Sequence, residues 1–219
     1  MSEPEGAGGD WTEERRRSDE GRSRSEGGMG RWVGPGGERE NTVSEDTAVI
    51  KALVVTASNR AAAGVYEDRS GPVLAELLRS AGCAVDGPVV VADGEPVEAA
   101  LRDAVARGYD VVVTTGGTGL TPGDLTPEMT RRVLEREIPG IAEALRSAGA
   151  AAGVPAAILS RGVAGVAGRT LIVNLPGSTG GVRDGMAVLA PVLGHAVSQI
   201  NGGDHPRTDS GANRSPGIA

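Results

Sequence analysis

Apolar residues are arranged in two different patterns along the central part of the chain: short continuous runs, and repeats at helical spacing. The runs 48–57, 85–92 and 110–115 are short and predominantly aliphatic, which is typical of strands buried on both faces of a parallel sheet. Two later runs, 156–162 and 169–175, predict a β-hairpin whose turn lies at 164–168. The chain is therefore expected to contain five strands.

Between these runs the apolar residues recur at helical spacing. Ser70 is the predicted cap of a helix that Gly82 ends, and further helices are predicted over 96–107, 126–137 and 139–150. The last helix follows Pro176 and Gly177, has Pro191 as a possible kink, and is predicted to contain a packed His195. Its apolar face is formed by Val182, Met186, Leu189, Leu193, Val197 and Ile200.

Alternating strands and helices predict the fold class. They indicate βαβ units and an α/β fold, here a three-layer α/β/α sandwich with a mostly parallel sheet plus a β-hairpin. Residues 47–201 are expected to form one domain. The segments 1–46 and 202–219 are rich in Gly, Ser and charged residues, so they are predicted to be disordered tails.

Composition narrows the classes of function. A net charge of -7 and a pI near 5.0 argue against nonspecific nucleic-acid binding, which needs a basic surface. Cys83 is the single cysteine and the histidines are His195 and His205, so neither a disulfide nor a Cys/His metal site is expected. No apolar run approaches the roughly 20 residues of a membrane span. We expect a soluble, cytoplasmic protein that binds no membrane.

Candidate chemistry follows the predicted strand ends. Ligands bind at the carboxyl ends of strands in such sheets, and four of these ends carry polar or glycine-rich segments: 58–60, 93–95, 116–119 and 174–178. If the four strands are parallel, these segments share one edge of the sheet.

The Gly116-Gly117-Thr118-Gly119 turn can be an ordinary tight turn or an anion site. Its backbone can approach a phosphate closely, but its spacing matches neither common nucleotide-loop motif. Asp124 follows the turn, and a carboxylate near bound phosphate requires a cation between them. Asp124 and Asp93 are therefore candidate Mg²⁺ ligands, although both aspartates can equally be turn formers.

Other polar residues at this edge also have two readings. Ser160 and Arg161 can bind an anionic group or be solvated, and the same holds for Arg60. Ser178 can contact a ligand or simply cap the last helix. The segment 66–68 can close over a ligand or cap the helix that follows.

Five motifs in order then resemble the MoaB/Mog family of molybdopterin-binding proteins. They occupy 58–72, 114–119, 124–128, 158–161 and 174–178, and the resemblance extends over residues 49–200.

The resemblance implies a domain that is usually trimeric and binds molybdopterin. In the catalytic branch it transfers AMP from Mg-ATP to the terminal phosphate of molybdopterin, releasing pyrophosphate. The product goes on to metal insertion, which makes the molybdenum-insertion protein a possible partner. By position, Asp93 and Asp124 become the acidic pair required for catalysis. The residues expected to line the nucleotide and pterin pockets are Gly116, Gly117, Thr118, Gly119, Ser160, Arg161, Pro176, Gly177 and Ser178.

Two points leave alternatives open. Many relatives carry a basic residue directly before the aspartate, where this chain has Gly123. The family also includes members that bind the pterin without clear transferase activity. A non-catalytic pterin-binding or delivery protein, and an interaction protein that lost the site, are thus the competing hypotheses.

Overall fold

The computed structural model describes residues 49–203. The two predicted tails lie outside the described residues, apart from Gly202 and Gly203. The predicted domain boundaries at 47 and 201 stay a prediction, since the regular elements extend from Lys51 to Ile200.

The described chain alternates strands and helices as the hydrophobic pattern predicts. In chain order the elements are β1 (Lys51–Ala57), α1 (Asn59–Ala62), α2 (Ser70–Ser80), β2 (Ala84–Val91), α3 (Glu95–Ala106), β3 (Val111–Thr115), α4 (Thr126–Arg131), β4 (Arg136–Glu137), α5 (Pro139–Ala151), a 3-10 helix (Pro155–Leu159), β5 (Ala164–Ala167), β6 (Thr170–Leu175) and α6 (Thr179–Ile200).

One mixed sheet organises these elements. Its strand order is β2-β1-β3-β6-β5-β4, and the first four strands of that order are parallel. The last two pair antiparallel with their neighbours. The mostly parallel sheet is thus confirmed and a β-hairpin is present, although it joins β5 to β6 and does not use the predicted first strand; the four polar strand ends do lie at one edge.

Two apolar layers cover the sheet. On one face, Leu74 of α2 and Leu189 of α6 pack against Val54 and Val113. On the other face, Leu101 of α3 packs with alternate strand residues and with α4. Every position of β3 and β6 is buried, as expected for strands covered on both faces. The three-layer sandwich is therefore confirmed.

Three predicted elements have different boundaries. The helix predicted over 126–137 ends at Arg131, because Glu135 N–H bonds to Val166 O at 2.9 Å and the chain continues as β4 beside β5. The strand predicted over 156–162 is wrong. Pro155 begins a 3-10 helix there, since proline fits the first position of a helix and alanine favours helical turns. The predicted turn 164–168 is mostly strand β5, and Gly168, with φ of 56°, turns into β6.

Two side-chain predictions also need correction. Ser70 is the first residue of α2, and the N-cap position is Arg69, whose side chain makes no capping bond. Asp68, one residue earlier, accepts hydrogen bonds at Oδ1 from Ser70 N and Gly71 N, both at 3.0 Å. His195 is exposed on α6, because its position falls outside the buried stripe of that helix. Within residues 49–203, no helix is both long and apolar enough to cross a membrane.

Candidate functional site

Two cavities of similar size meet at the edge where the four parallel strands end. The first is about 730 Å³ and is lined by polar residues after β1 and β2, including Asp68 and Asp93. The second is about 740 Å³ and lies between the glycine turn, α5, the 3-10 helix and α6. Both cavities are lined by Gly116, Gly117, Asp124, Gly177 and Ser178. Two ligands placed in these cavities would meet at the glycine turn.

The glycine turn requires glycine at two positions. Gly116 has φ of 95° and Gly117 has φ of 62°, in the region that side chains disfavour. A Cβ at Gly116 would stand 2.2 Å from Ala57 O, and one at Gly117 would stand 2.3 Å from Asp93 Oδ1 and from Thr126 Oγ1. The turn therefore packs its bare backbone against both the end of β1 and the Asp93 carboxylate.

Asp93 follows β2 and is held by Asn59, the first residue of α1 after β1. Its backbone N–H donates to Asn59 Oδ1 at 3.1 Å, and Asn59 N–H donates to Asp93 Oδ2 at 3.3 Å. Burial raises the pKa of Asp93, the Asn59 N–H donor lowers it, and the negative charge of Asp124 raises it again, with a net increase. The other oxygen, Oδ1, is buried and has no hydrogen-bond partner in the described structure.

β1 lies between β2 and β3, so the two aspartates do not come from adjacent strands. Asp124 closes the loop after the glycine turn: its Oδ2 accepts hydrogen bonds from Thr121 N at 2.9 Å and from Thr121 Oγ1 at 2.6 Å. Asp124 therefore stabilises its own turn, which is one of the two interpretations that its sequence position allows. The bonds use one carboxylate oxygen and leave Oδ1 for a ligand.

Arg161 joins the glycine turn to the Asp124 loop. Its Nε donates to Gly119 O at 2.7 Å, and its two terminal nitrogens donate to Glu128 Oε1 and to the Asp124 carbonyl. Its backbone N–H also bonds to Thr118 O at 2.9 Å. Arg161 lines neither of the two cavities. In this structure its guanidinium therefore stabilises the Asp124 loop instead of lining a cavity.

The remaining predicted residues lie at the second cavity. Ser160, Thr118, Pro176 and Gly119 line it. Ser178 caps α6 by accepting a hydrogen bond from Gly181 N at 3.0 Å, and it also lines both cavities. Ser178 can therefore cap α6 and contact a ligand at the same time.

Sequence reasoning missed three residues around the turn. Asn59 was recognised only as part of the polar segment 58–60, yet it makes two hydrogen bonds to Asp93. Thr126 Oγ1 and Glu128 Oε2 are buried without a hydrogen-bond partner in the described structure, and neither was a candidate. The threonine-proline pair at 126–127 indicated only a helix start, so the sequence carried no signal for an unsatisfied hydroxyl.

Mg²⁺ fits the pair of aspartates. Asp93 Oδ1 and Asp124 Oδ1 both lack protein hydrogen bonds, and carboxylate oxygens are the ligands that Mg²⁺ prefers. Within residues 49–203 no cluster of three or more metal-binding side chains occurs. A cation here would thus be held by the two carboxylates together with oxygens of substrate and water, as is usual for Mg²⁺.

Comparison with known proteins gives a consistent result. The family model described as "Probable molybdopterin binding domain" matches residues 53–195. A molybdenum cofactor biosynthesis bifunctional protein of Synechococcus elongatus is 37% identical over 181 residues, covering 82% of this chain and 56% of that protein. A molybdopterin adenylyltransferase of Helicobacter pylori is 37% identical over 156 residues, covering 68% of this chain and 86% of that protein. The chain thus spans about half the length of the bifunctional relative and most of the shorter one.

Solved structures agree with the sequence relatives. The Mog protein of Mycobacterium ulcerans is 55% identical, with a TM-score of 0.66 over 69% of this chain and 99% of that chain. The MoaB enzyme of Thermus thermophilus is 42% identical, with a TM-score of 0.66 over 70% of this chain and 98% of that chain. The resemblance to MoaB/Mog proteins is confirmed, and the chain belongs to the molybdopterin-binding domain family of molybdenum cofactor biosynthesis.

Proposed function

We propose that this protein is a molybdopterin adenylyltransferase that uses Mg-ATP and releases pyrophosphate. The observation that carries the proposal is the position of Asp124 and the glycine turn, which line both cavities at once. A transferase for two substrates needs two adjoining pockets and a shared wall where the reacting groups meet. The name of the Helicobacter relative, molybdopterin adenylyltransferase, supports the same assignment, and the Thermus relative is named only as a molybdopterin biosynthesis enzyme.

The reaction requires positioning more than acid–base chemistry. A terminal phosphate oxygen of molybdopterin attacks the α-phosphorus of ATP, one P–O bond forms, and the bond to the leaving pyrophosphate breaks. The phosphate is already ionised at neutral pH, so no general base is needed. The main obstacle is the repulsion between two anions.

Backbone N–H groups of this chain can reduce that repulsion between the two anions. The glycine turn can present N–H groups at close range, and Thr179 at the start of α6 lines the first cavity, where the free N–H groups of a helix N-terminus favour phosphate. Asp93 and Asp124 would hold Mg²⁺. When bound, Mg²⁺ neutralises phosphate charge and orients the phosphates for in-line transfer.

A pyrophosphate-release assay tests the proposal. Purified protein with molybdopterin, ATP and Mg²⁺ should release pyrophosphate, and Asp124→Ala should abolish the release while keeping the fold. Asp103→Ala is the matched control, because Asp103 is an exposed carboxylate on α3 outside both cavities. Equal turnover by Asp124→Ala and the control would exclude a catalytic role for Asp124.

Mass spectrometry of the bound pterin separates the alternatives. If the pterin binds tightly but stays unmodified in the presence of Mg-ATP, the protein is a pterin-binding or delivery protein. Gly123, which lines the first cavity, supports testing this alternative because it supplies no basic side chain next to Asp124. If neither pterin nor nucleotide binds, the site has been lost and an interaction role is favoured.

We also propose a homotrimer, and a molybdenum-insertion protein as the recipient of the product. β2 is an edge strand whose Val89 and Val90 are 42% and 37% exposed, and exposed apolar edges favour association. Light scattering of the purified protein gives the subunit number directly. A monomer at micromolar concentration would contradict the trimer.

A further inference from the structure

An unpaired carboxylate lines the second cavity. Asp184 lies in the second turn of α6, is half-buried, and borders this cavity. No hydrogen bond or ion pair of its side chain occurs with any residue of the described part of the chain. Much of the surrounding wall is apolar or small, including Leu145, Ala157 and Gly180.

The fold itself does not account for this carboxylate. The positions three and four residues away on α6 are Gly180, Gly181, Ala187 and Val188, so no i,i+4 ion pair is available. Favourable interaction with the helix dipole is concentrated in the first turn, which Asp184 does not occupy. Its oxygens are not among the buried unpartnered atoms of the described residues, so they remain accessible to a ligand in the cavity that donates hydrogen bonds.

The charge of Asp184 determines which part of a ligand can lie beside it. A phosphate would be repelled, so the neighbouring group must be neutral and must carry hydrogen-bond donors. The cavity also contains Asp124 at the glycine turn and Arg146 on α5, but the wall beside Asp184 is apolar or small, which suits a nucleoside whose base packs against small side chains and whose ribose hydroxyls donate to the carboxylate. Recognition of a ribose hydroxyl by an acidic side chain is the arrangement that dinucleotide-binding folds use.

We propose that Asp184 binds the ribose hydroxyls of the nucleotide and selects ribonucleotides over deoxyribonucleotides. The inference rests on the proposed function, because it takes ATP as the occupant of the second cavity. It places the phosphates towards the glycine turn and Ser178, which the two cavities share. Asp184 thereby acts in substrate selection and leaves the reacting atoms untouched.

Calorimetric titration without molybdopterin tests this selection while preventing turnover. Mg-ATP and Mg-2′-deoxy-ATP are titrated into the full-length wild-type protein and into Asp184→Ala. Because a hydrogen bond to a charged group contributes strongly, wild type should bind ATP about tenfold or more tightly than the deoxynucleotide. Asp184→Ala should bind the two nucleotides about equally, mainly through weaker binding of ATP.

A matched variant controls for the loss of charge. Glu76→Ala removes an exposed carboxylate on α2 outside both cavities, and it should keep the wild-type preference; thermal unfolding confirms that both variants fold. The inference is overturned if wild type binds the two nucleotides equally, and it is overturned if Asp184→Ala keeps the wild-type preference for ATP. Neither result contradicts the transferase proposal. Failure of wild type to bind either nucleotide overturns both proposals.

Discussion

Gly117→Ala is the sharpest perturbation of the proposed active site. The new Cβ would stand 2.3 Å from Asp93 Oδ1 and 2.3 Å from Thr126 Oγ1, a separation that no carbon and oxygen atom can keep without moving. Thr126 is completely buried, so the Asp93 carboxylate is the group with more freedom to shift. The substitution therefore displaces a proposed Mg²⁺ ligand through one methyl group.

The loss of unfolding free energy expected for Gly117→Ala has two parts. Alanine at φ of 62° pays a left-handed backbone penalty of about 1–2 kcal/mol, and overpacking adds about 1–3 kcal/mol. Gly108→Ala separates the two, because Gly108 has φ of 73° and nothing within 4 Å of its added Cβ. We expect Gly108→Ala to lose only the backbone part of the unfolding free energy, with turnover unchanged.

Two measurements check this reasoning. Urea unfolding should give Gly117→Ala a loss of about 2–5 kcal/mol, the sum of both parts. Pyrophosphate release under conditions where the variant is folded should fall about 100-fold, as expected for a misplaced catalytic group. If Gly117→Ala loses no more stability than Gly108→Ala and keeps its turnover, the contact between the turn and Asp93 does not position the carboxylate.

Three further predictions concern neighbouring groups. Arg161→Lys cannot reproduce the planar fork, so Mn²⁺ affinity measured by electron paramagnetic resonance should fall about 10- to 100-fold, whereas the exposed control Arg79→Lys should match wild type. The pKa of Asp93 is raised above its ordinary 3.8, so the folded state binds more protons between the two pKa values and stability falls as pH rises through that window. In urea unfolding, Asp93→Asn should therefore gain stability relative to wild type as the pH rises above 3.8, and a constant difference would contradict the assignment. Asp68→Ala removes the carboxylate that accepts hydrogen bonds from the first two N–H groups of α2 and should lower the unfolding free energy by about 1–2 kcal/mol; an unchanged urea midpoint would mean that water replaces these bonds at no cost.

Hydrophobic periodicity predicted most of the sheet because burial dictates it. β1, β3 and β6 are buried at nearly every position, and they lie between two helical layers. The strand predicted over 156–162 is also apolar, but apolar content alone does not distinguish a strand from a short helix. Pro155 decided that choice locally, and pairing with β5 ended α4 through a tertiary contact that local pattern does not contain.

Residue chemistry identified the aspartates and the glycine turn, but not their supports. Asp93 and Asp124 were found because acidic residues after buried strands are conspicuous. Asn59 and Arg161 act through contacts with groups 34 and 42 residues away, and such contacts depend on strand order. Since β1 was not known to lie between β2 and β3, its end could not be recognised as the element that fixes Asp93.

Among the described residues, buried side-chain oxygens without partners concentrate around the glycine turn, where they cost stability. Within residues 49–203, the buried side-chain oxygens without partners belong to Asp93, Thr126 and Glu128, and all three residues adjoin the glycine turn or its Arg161 clamp. Each such group costs roughly 1–3 kcal/mol, and the raised pKa of Asp93 reflects the same burial. Elsewhere the fold pairs its buried polar groups, as Asn174 does with Thr114 and Thr130. Of the three residues, Asp93 lines the first cavity, whereas Thr126 and Glu128 line neither, so Asp93 is the residue whose cost a ligand bound in these cavities would offset.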